Sequence, residues 1–334
     1  TVGGQNTGLC RYAGCNIIGG SQNTALGSLS LYSNVNGDNN VAIGRLAMQF
    51  NIASANTAVG TCALRCNTTG IAHTAVGYEA LHLNTTGRHN TAIGWCALPV
   101  NTTGCNNTAV GIIAMRKNTT GVKNTALGYY ALGKNLTGNN NTAVGHYAGT
   151  GNGSFTGLTA IGHQALLCST AGENTAVGAC ASRNTTTGGA NVSLGYCSQI
   201  ENTTGAHNTS AGHRSMRNNT LGSSNAAFGS AALFANTTGV NNIAVGRYAM
   251  LCNTVGGNNI AIGRNAMMCN TTGQNNTAVG YNALCLGTGS QANVAVGRWA
   301  LRCTSGDNNV AIGDRALRSN TTGYSNVAMS TAVL

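Results

Sequence analysis

The sequence predicts an all-β fold, a parallel β-solenoid (β-roll) of about eighteen 17-residue rungs running as one repeat array over residues 1–334. Three observations predict it: a strand-like phrase that returns at a fixed period, a composition poor in large side chains, and turn residues at matching places in the copies. The phrase is Asn-Thr-Ala-Val-Gly, and its closing glycine occurs eighteen times, at Gly27, Gly44, Gly60 and onward to Gly297 and Gly313. The step is 17 residues except for three steps of 16, which end at Gly60, Gly178 and Gly313. Degenerate copies occupy 1–22 and 326–334. Glycine supplies 48 of the 334 residues, aromatics 5% and charged residues 7%. A chain so composed must pack by stacking short units on one another.

Within each copy the elements follow in a fixed order. Four residues before the glycine stands Asn in 16 of 18 copies, with His73 and Leu158 in the other two. The alternation through Asn-Thr-Ala-Val-Gly has the period of two that marks a short strand. Val, Ile, Leu or Phe precedes the glycine in every copy but one, where Ala211 stands. Three residues beyond the glycine comes Ala or Ser, and next, in most copies, Leu or Met. The second half often reads Asn-Thr-Thr-Gly, as at Asn67 to Gly70 and Asn270 to Gly273. Glycine and asparagine accept positive φ at little cost, so this stretch is a turn. Repeated glycines and turn residues exclude a helix.

Stacking in parallel sets equivalent residues about 4.8 Å apart, which predicts a column through Val59, Val76 and Ile93 and a rod of roughly 85 Å. The asparagine column then becomes a ladder of side-chain amides, each bonding the next rung; a simple turn-starting Asn is the alternative. One strand face carries Asn, Ala and Gly, the other Thr with Val or Ile. Only about two large apolar side chains per copy remain for an interior. Either each coil is very flat, or a second apolar face is buried against other chains, and the length of the apolar stripe favours the second.

Stretches such as Asn107-Thr-Ala-Val-Gly111-Ile-Ile-Ala-Met115 and Asn90-Thr-Ala-Ile-Gly94-Trp-Cys-Ala-Leu98, joined by Asn-Thr-Thr-Gly turns, resemble the head-domain β-roll repeats of trimeric autotransporter adhesins. They resemble still more the related repeats of phage-type tail fibres and surface fibres. The resemblance covers residues 23 to 330. It implies a left-handed parallel β-roll, often trimeric, used in adhesion, although the adhesin head unit is usually shorter than this one.

Lys and Arg outnumber Asp and Glu by 17 to 6, a formal charge of +11. The cations are scattered, at Arg45, Arg65, Arg116, Lys117, Lys123, Arg247, Arg264 and Arg298 among others, with no run. That pattern argues against nucleic acid as a partner. It leaves acidic polysaccharide or a cell surface, attracted by the summed field, beside the blander reading that the charges keep the chain soluble. No apolar stretch is long enough to span a bilayer. The chain begins without Met or a signal segment, which predicts a processed product or part of something longer.

Thirteen cysteines fall in columns. Cys252, Cys269, Cys285 and Cys303 lie on consecutive rungs at nearly one register, and Cys180 and Cys197 on another pair. A rung spacing of about 4.8 Å is inside the Cα separation a disulfide tolerates. The expected bridges are Cys252 to Cys269, Cys285 to Cys303, and Cys180 to Cys197; buried reduced thiols standing in for Ala or Ser are the alternative. Asn-Xaa-Ser/Thr acceptors recur along the turn at Asn67, Asn84, Asn101, Asn118, Asn135, Asn152, Asn184, Asn202, Asn218, Asn236, Asn270 and Asn320. If the turn lies at an exposed edge, these carry glycans in a line. Bridges and glycans together would place the chain outside the cell.

No chemistry of turnover is visible. The six carboxylates (Asp38, Glu79, Glu173, Glu201, Asp307 and Asp314) form no recurring pair. His146 and His163 share a column on adjacent rungs and could touch a metal, but no metal site is expected. No cofactor is implied, and the chain is expected not to be an enzyme. The reading that follows is an extracellular structural fibre or filament, with copies of itself as partners in an end-to-end filament or a lateral homo-oligomer. The alternative is an adhesin or receptor-binding fibre shaft on a cell or virion. Ice binding by the threonine row Thr57, Thr74, Thr91, Thr108, Thr125 and Thr142 stands further off.

Overall fold

The computed structural model describes residues 4–151 and 153–331, in two compact units, Thr1–Gln164 and Ala165–Leu334. Each is a parallel β-solenoid. The first unit carries ten three-residue strands, from β1 (Thr7–Leu9) to β10 (Thr159–Ile161). The second carries ten more, from β11 (Thr175–Val177) to β20 (Val327–Met329). The degenerate copies at both ends thus contribute strands of their own. No helix occurs among the described residues.

Register follows the repeat. Thr57 pairs with Thr74, Ala58 with Ala75 and Val59 with Val76, and the next rung adds Thr91, Ala92 and Ile93. The column through Val59, Val76 and Ile93 is as expected. At two of the three 16-residue steps pairing is kept: Val41 meets Thr57, and Val294 meets Val310. The missing residue is absorbed outside the strand.

The strand ends at its glycine for two reasons. Gly94 has φ of 134°, and a Cβ there would lie 2.6 Å from the carbonyl oxygen of Gly111 on the next rung. Any side chain would push the rungs apart. Beyond the glycine the backbone coils through two left-handed residues per rung, for example Glu79 (φ 51°) and Leu81 (φ 53°). Such residues are strained by about 1 kcal/mol each. Ladder hydrogen bonds offset the strain: Glu79 N–H donates to Thr61 O at 3.0 Å, and Leu81 N–H to Ala97 O at 3.0 Å.

The interior differs from the expectation in one respect. On the rung of Thr74–Val76 the fully buried side chains are Ala75, Ala80, Leu81, Asn84 and Asn90. Val76 and its equivalents face outward with Thr74. The coil therefore keeps one large apolar side chain per rung rather than two. The strand centre holds only a small side chain, alanine in most rungs and serine at Ser193 and Ser210. Leu or Met from the other arm fills the remainder, at Leu64, Leu81, Leu98 and Met115.

Candidate interaction surface

Each coil holds two asparagine ladders. In the first, just ahead of the strand, Asn124 N–H donates to Asn107 Oδ1 at 3.0 Å. The Asn124 amide donates to Gly138 O at 2.8 Å. The expected amide ladder is thus present, although its acceptor serves mainly the backbone N–H of the following rung. His73 substitutes for Asn in kind. Its Nδ1 accepts from Asn90 N–H at 3.2 Å, where an Asn would offer Oδ1, and Nε2 lies 2.8 Å from Gly87 O. Burial pushes the imidazole down to about 4, so the neutral ring is the form the site holds.

The second ladder is the Asn of the Asn-Thr-Thr-Gly turn, and here the structure corrects the sequence. Asn84 donates to Asn67 Oδ1 at 2.8 Å and to Gly87 O at 3.2 Å; Asn101 repeats this with Asn84 and Gly104. Asn67, Asn84, Asn101, Asn118, Asn135, Asn202, Asn236 and Asn270 are all buried. Their amide nitrogens, the atoms a glycan needs, are spent on hydrogen bonds inside the coil. The expected line of exposed acceptors is not there. Asn184, Asn218 and Asn320 are half-exposed, and Asn152 lies outside the described residues. Asn184 and Asn218 sit one residue ahead of the buried column, which continues through Thr185 and Asn219.

The cysteines are all free thiols, so the expected bridges are likewise corrected. Cys180 and Cys197 are rung neighbours, since Cys197 N–H donates to Ala179 O at 3.0 Å. Cys252 and Cys269 are too, through Cys252 N–H to Met268 O at 2.9 Å. But Cys269 N–H donates to Cys285 O, and Leu286 N–H to Arg302 O, which sets Leu286 in that column between Cys269 and Cys303. Cys285 is one position out of register and buried. In a parallel stack the neighbouring Cβ vectors run side by side rather than converging, about 4.8 Å apart, beyond the Cβ separation a disulfide prefers. Burial also pushes the thiols of Cys96 and Cys285 up to about 11, and raises those of Cys66, Cys180 and Cys269. At neutral pH these are poor nucleophiles.

What faces solvent is the strand. In the first unit the outward rows are threonine at Thr57, Thr74, Thr91, Thr108, Thr125, Thr142 and Thr159, beside Val, Ile or Leu. In the second unit Thr175, Thr209 and Thr277 keep the row, and elsewhere threonine gives way to Val192, Ala226, Ile243, Ile260, Val294 and Val310. Phe228, Ile243, Ile262 and Ile312 are each about two-fifths exposed. No outward strand position in either unit is charged. This apolar row was legible in the alternation, though not its direction.

His146 and His163 stack at 5.4 Å between ring centroids, with Tyr129 stacked on His146 at 5.2 Å. Among the described residues no group of three or more His, Cys, Asp or Glu could hold a metal, and no helix is long and apolar enough to cross a membrane. No known family model matches the sequence, and no curated protein matches it either.

Proposed function

We propose that this chain is a structural protein of an extracellular fibre, and that its outward strand face packs against the same face of another copy. The observation that carries this is the uncharged, mostly apolar outward row of the second unit, from Val192 to Ile312, left in water by a coil that buries alanine or serine instead. An exposed apolar stripe of this length favours association. A second copy is the natural occupant because its row has the same rung period, so side chains of one copy meet gaps of the other in every rung. The likeness of the repeat to those of surface and tail fibres supports the same reading.

The test is sedimentation velocity across micromolar concentrations. The chain is expected to form a defined oligomer, and Phe228→Lys with Ile243→Lys and Ile262→Lys to yield monomers whose far-UV spectrum is unchanged. A parent chain that stays monomeric at every concentration overturns the proposal.

A further inference from the structure

A row of cations in the second unit is organised by aromatic rings. Ladder bonds run from Asn265 N–H to Arg247 O (3.0 Å), Asn282 N–H to Arg264 O (3.1 Å), Trp299 N–H to Tyr281 O (2.9 Å) and Arg315 N–H to Arg298 O (2.8 Å). Arg247, Arg264, Tyr281 and Arg298 therefore stand one above another, exposed, immediately after the rung glycines. The Arg247 guanidinium lies 4.6 Å from the Tyr248 ring centroid and donates to its hydroxyl at 2.9 Å. Arg264 sits 5.9 Å from the Tyr281 ring. Trp299 is surrounded by Arg298, Arg315 and Arg318 at 4.5, 4.9 and 5.1 Å.

A guanidinium laid on a ring is held in place while its N–H edge still points to solvent, ready for a planar oxyanion. Competing acids are scarce. No Asp or Glu occurs between Glu201 and Asp307, and of the row only Arg298 has a carboxylate, Asp314 at 2.9 Å.

The same ridge has a notch. His213 and Arg214 occupy one rung and Arg247 and Tyr248 lie two rungs further on, with Ser230 and Ala231 at the same positions of the rung between. The small pair leaves a recess of about 210 Å³ walled by His213, Arg214, Phe234 and Tyr248. Its chemistry is two aromatic rings and a guanidinium around a space of sugar-ring size.

We propose that this ridge binds an acidic polysaccharide, with one sugar ring in the notch over Ser230 and acid groups along the chain on Arg214, Arg247 and Arg264, the Arg298 fork being held by both oxygens of Asp314. Sulfate and carboxylate offer the same oxyanion edge to a guanidinium fork. A single-stranded nucleic acid fits less well, because it needs free ring faces for its bases, and here guanidinium groups lie over the Tyr248 and Trp299 rings.

The intact chain would be passed over immobilised dextran sulfate, polygalacturonate, neutral dextran and oligothymidylate. Retention is expected on dextran sulfate or polygalacturonate, the stronger of the two naming the acid, and not on neutral dextran. Arg214→Gln with Arg247→Gln and Arg264→Gln should weaken binding about tenfold or more. A charge-matched set in the first unit, Arg88→Gln with Lys117→Gln and Lys123→Gln, should weaken it only about twofold. Ser230→Trp, which fills the notch, should weaken it with no change in charge. Equal losses from the two triple sets would show attraction by net charge alone and overturn the site. So would oligothymidylate binding as tightly as either polysaccharide, or no retention on any anionic matrix.

Discussion

Within the second unit, the rungs from Ser182 to Ser215 have a polar interior and those from Met216 to Ala328 an apolar one. Ser182 and Gln199 occupy the column that Met216, Leu233, Met250 and Met267 fill elsewhere. Ser193 and Ser210 replace the strand alanine. The polar groups pair with one another: Ser182 Oγ with Ser193 Oγ at 2.6 Å, and the Gln199 amide with Ser210 Oγ at 2.8 Å and Val192 O at 3.1 Å. Strand register is the same in both regions, Ser193 on Ser210 as Ala244 on Ala261. The fold therefore does not depend on the chemistry of its filling. It needs the filling to have the right volume and most of its buried polar groups hydrogen-bonded. Glycine and asparagine hold the rungs together in both regions.

The largest expected effect tests that equality. Gly263→Ala in the apolar region and Gly195→Ala in the polar region should each destabilise by about 4 kcal/mol. Both glycines have φ near 125° (132° and 120°), and an added Cβ would meet the next rung's carbonyl oxygen at 2.5 and 2.6 Å. Thermal melting should show the same fall for both; a tolerated Gly195→Ala would mean the polar rungs are held by something else.

Next comes the filling itself. Met250 is fully buried, so Met250→Ala should cost about 3 kcal/mol through the cavity it leaves. Smaller, at about 2 kcal/mol by pH 5, is a proton effect in the first unit. The His73 imidazole, ordinarily near 6.5, is pushed by burial to about 4. The unfolded chain therefore binds the proton more readily than the folded one between those values. Stability is full above pH 6.5, falls as pH drops toward 4, and should lose that dependence in His73→Asn. A melting temperature flat from pH 7 to 5 in the parent chain would contradict the buried neutral ring. The smallest effect returns to the polar rungs. Gln199→Leu together with Ser210→Ala and Ser198→Ala, whose hydroxyl pairs with that of Ser210, removes the partners of this buried cluster together with an unpaired acceptor, Gln199 Oε1. Replacing the partners together is nearly neutral, so the change should stay within about 1 kcal/mol.

Particular residues show how far the sequence could be read. Counting from the rung glycine separates Cys252, Cys269 and Cys303, six residues on, from Cys285, five residues on. The same count separates Asn184 and Asn218, six on, from the buried column, seven on at Asn67 and Asn84. Both slips of register were thus legible. The burial of the turn Asn was not, because Asn-Thr-Thr-Gly is a good exposed turn by local rules. Only the neighbouring rung supplies what draws it inward, an acceptor such as Asn67 Oδ1 for the Asn84 amide, beside the Gly87 carbonyl of its own turn.

The sequence by itself determined the period, the three-residue strand at Thr-Ala-Val, the parallel register and the glycine at its end. Each follows from backbone conformation and from identical residues stacking on one another, and both are written in one copy and repeated. Only the tertiary structure decided which strand face is interior. Alternation says that two faces differ; the gap between the arms of the coil says which one fits. That gap admits Ala75 and excludes Val76. A small residue therefore lies inside and the larger apolar one in water, against the usual order of hydrophobic burial.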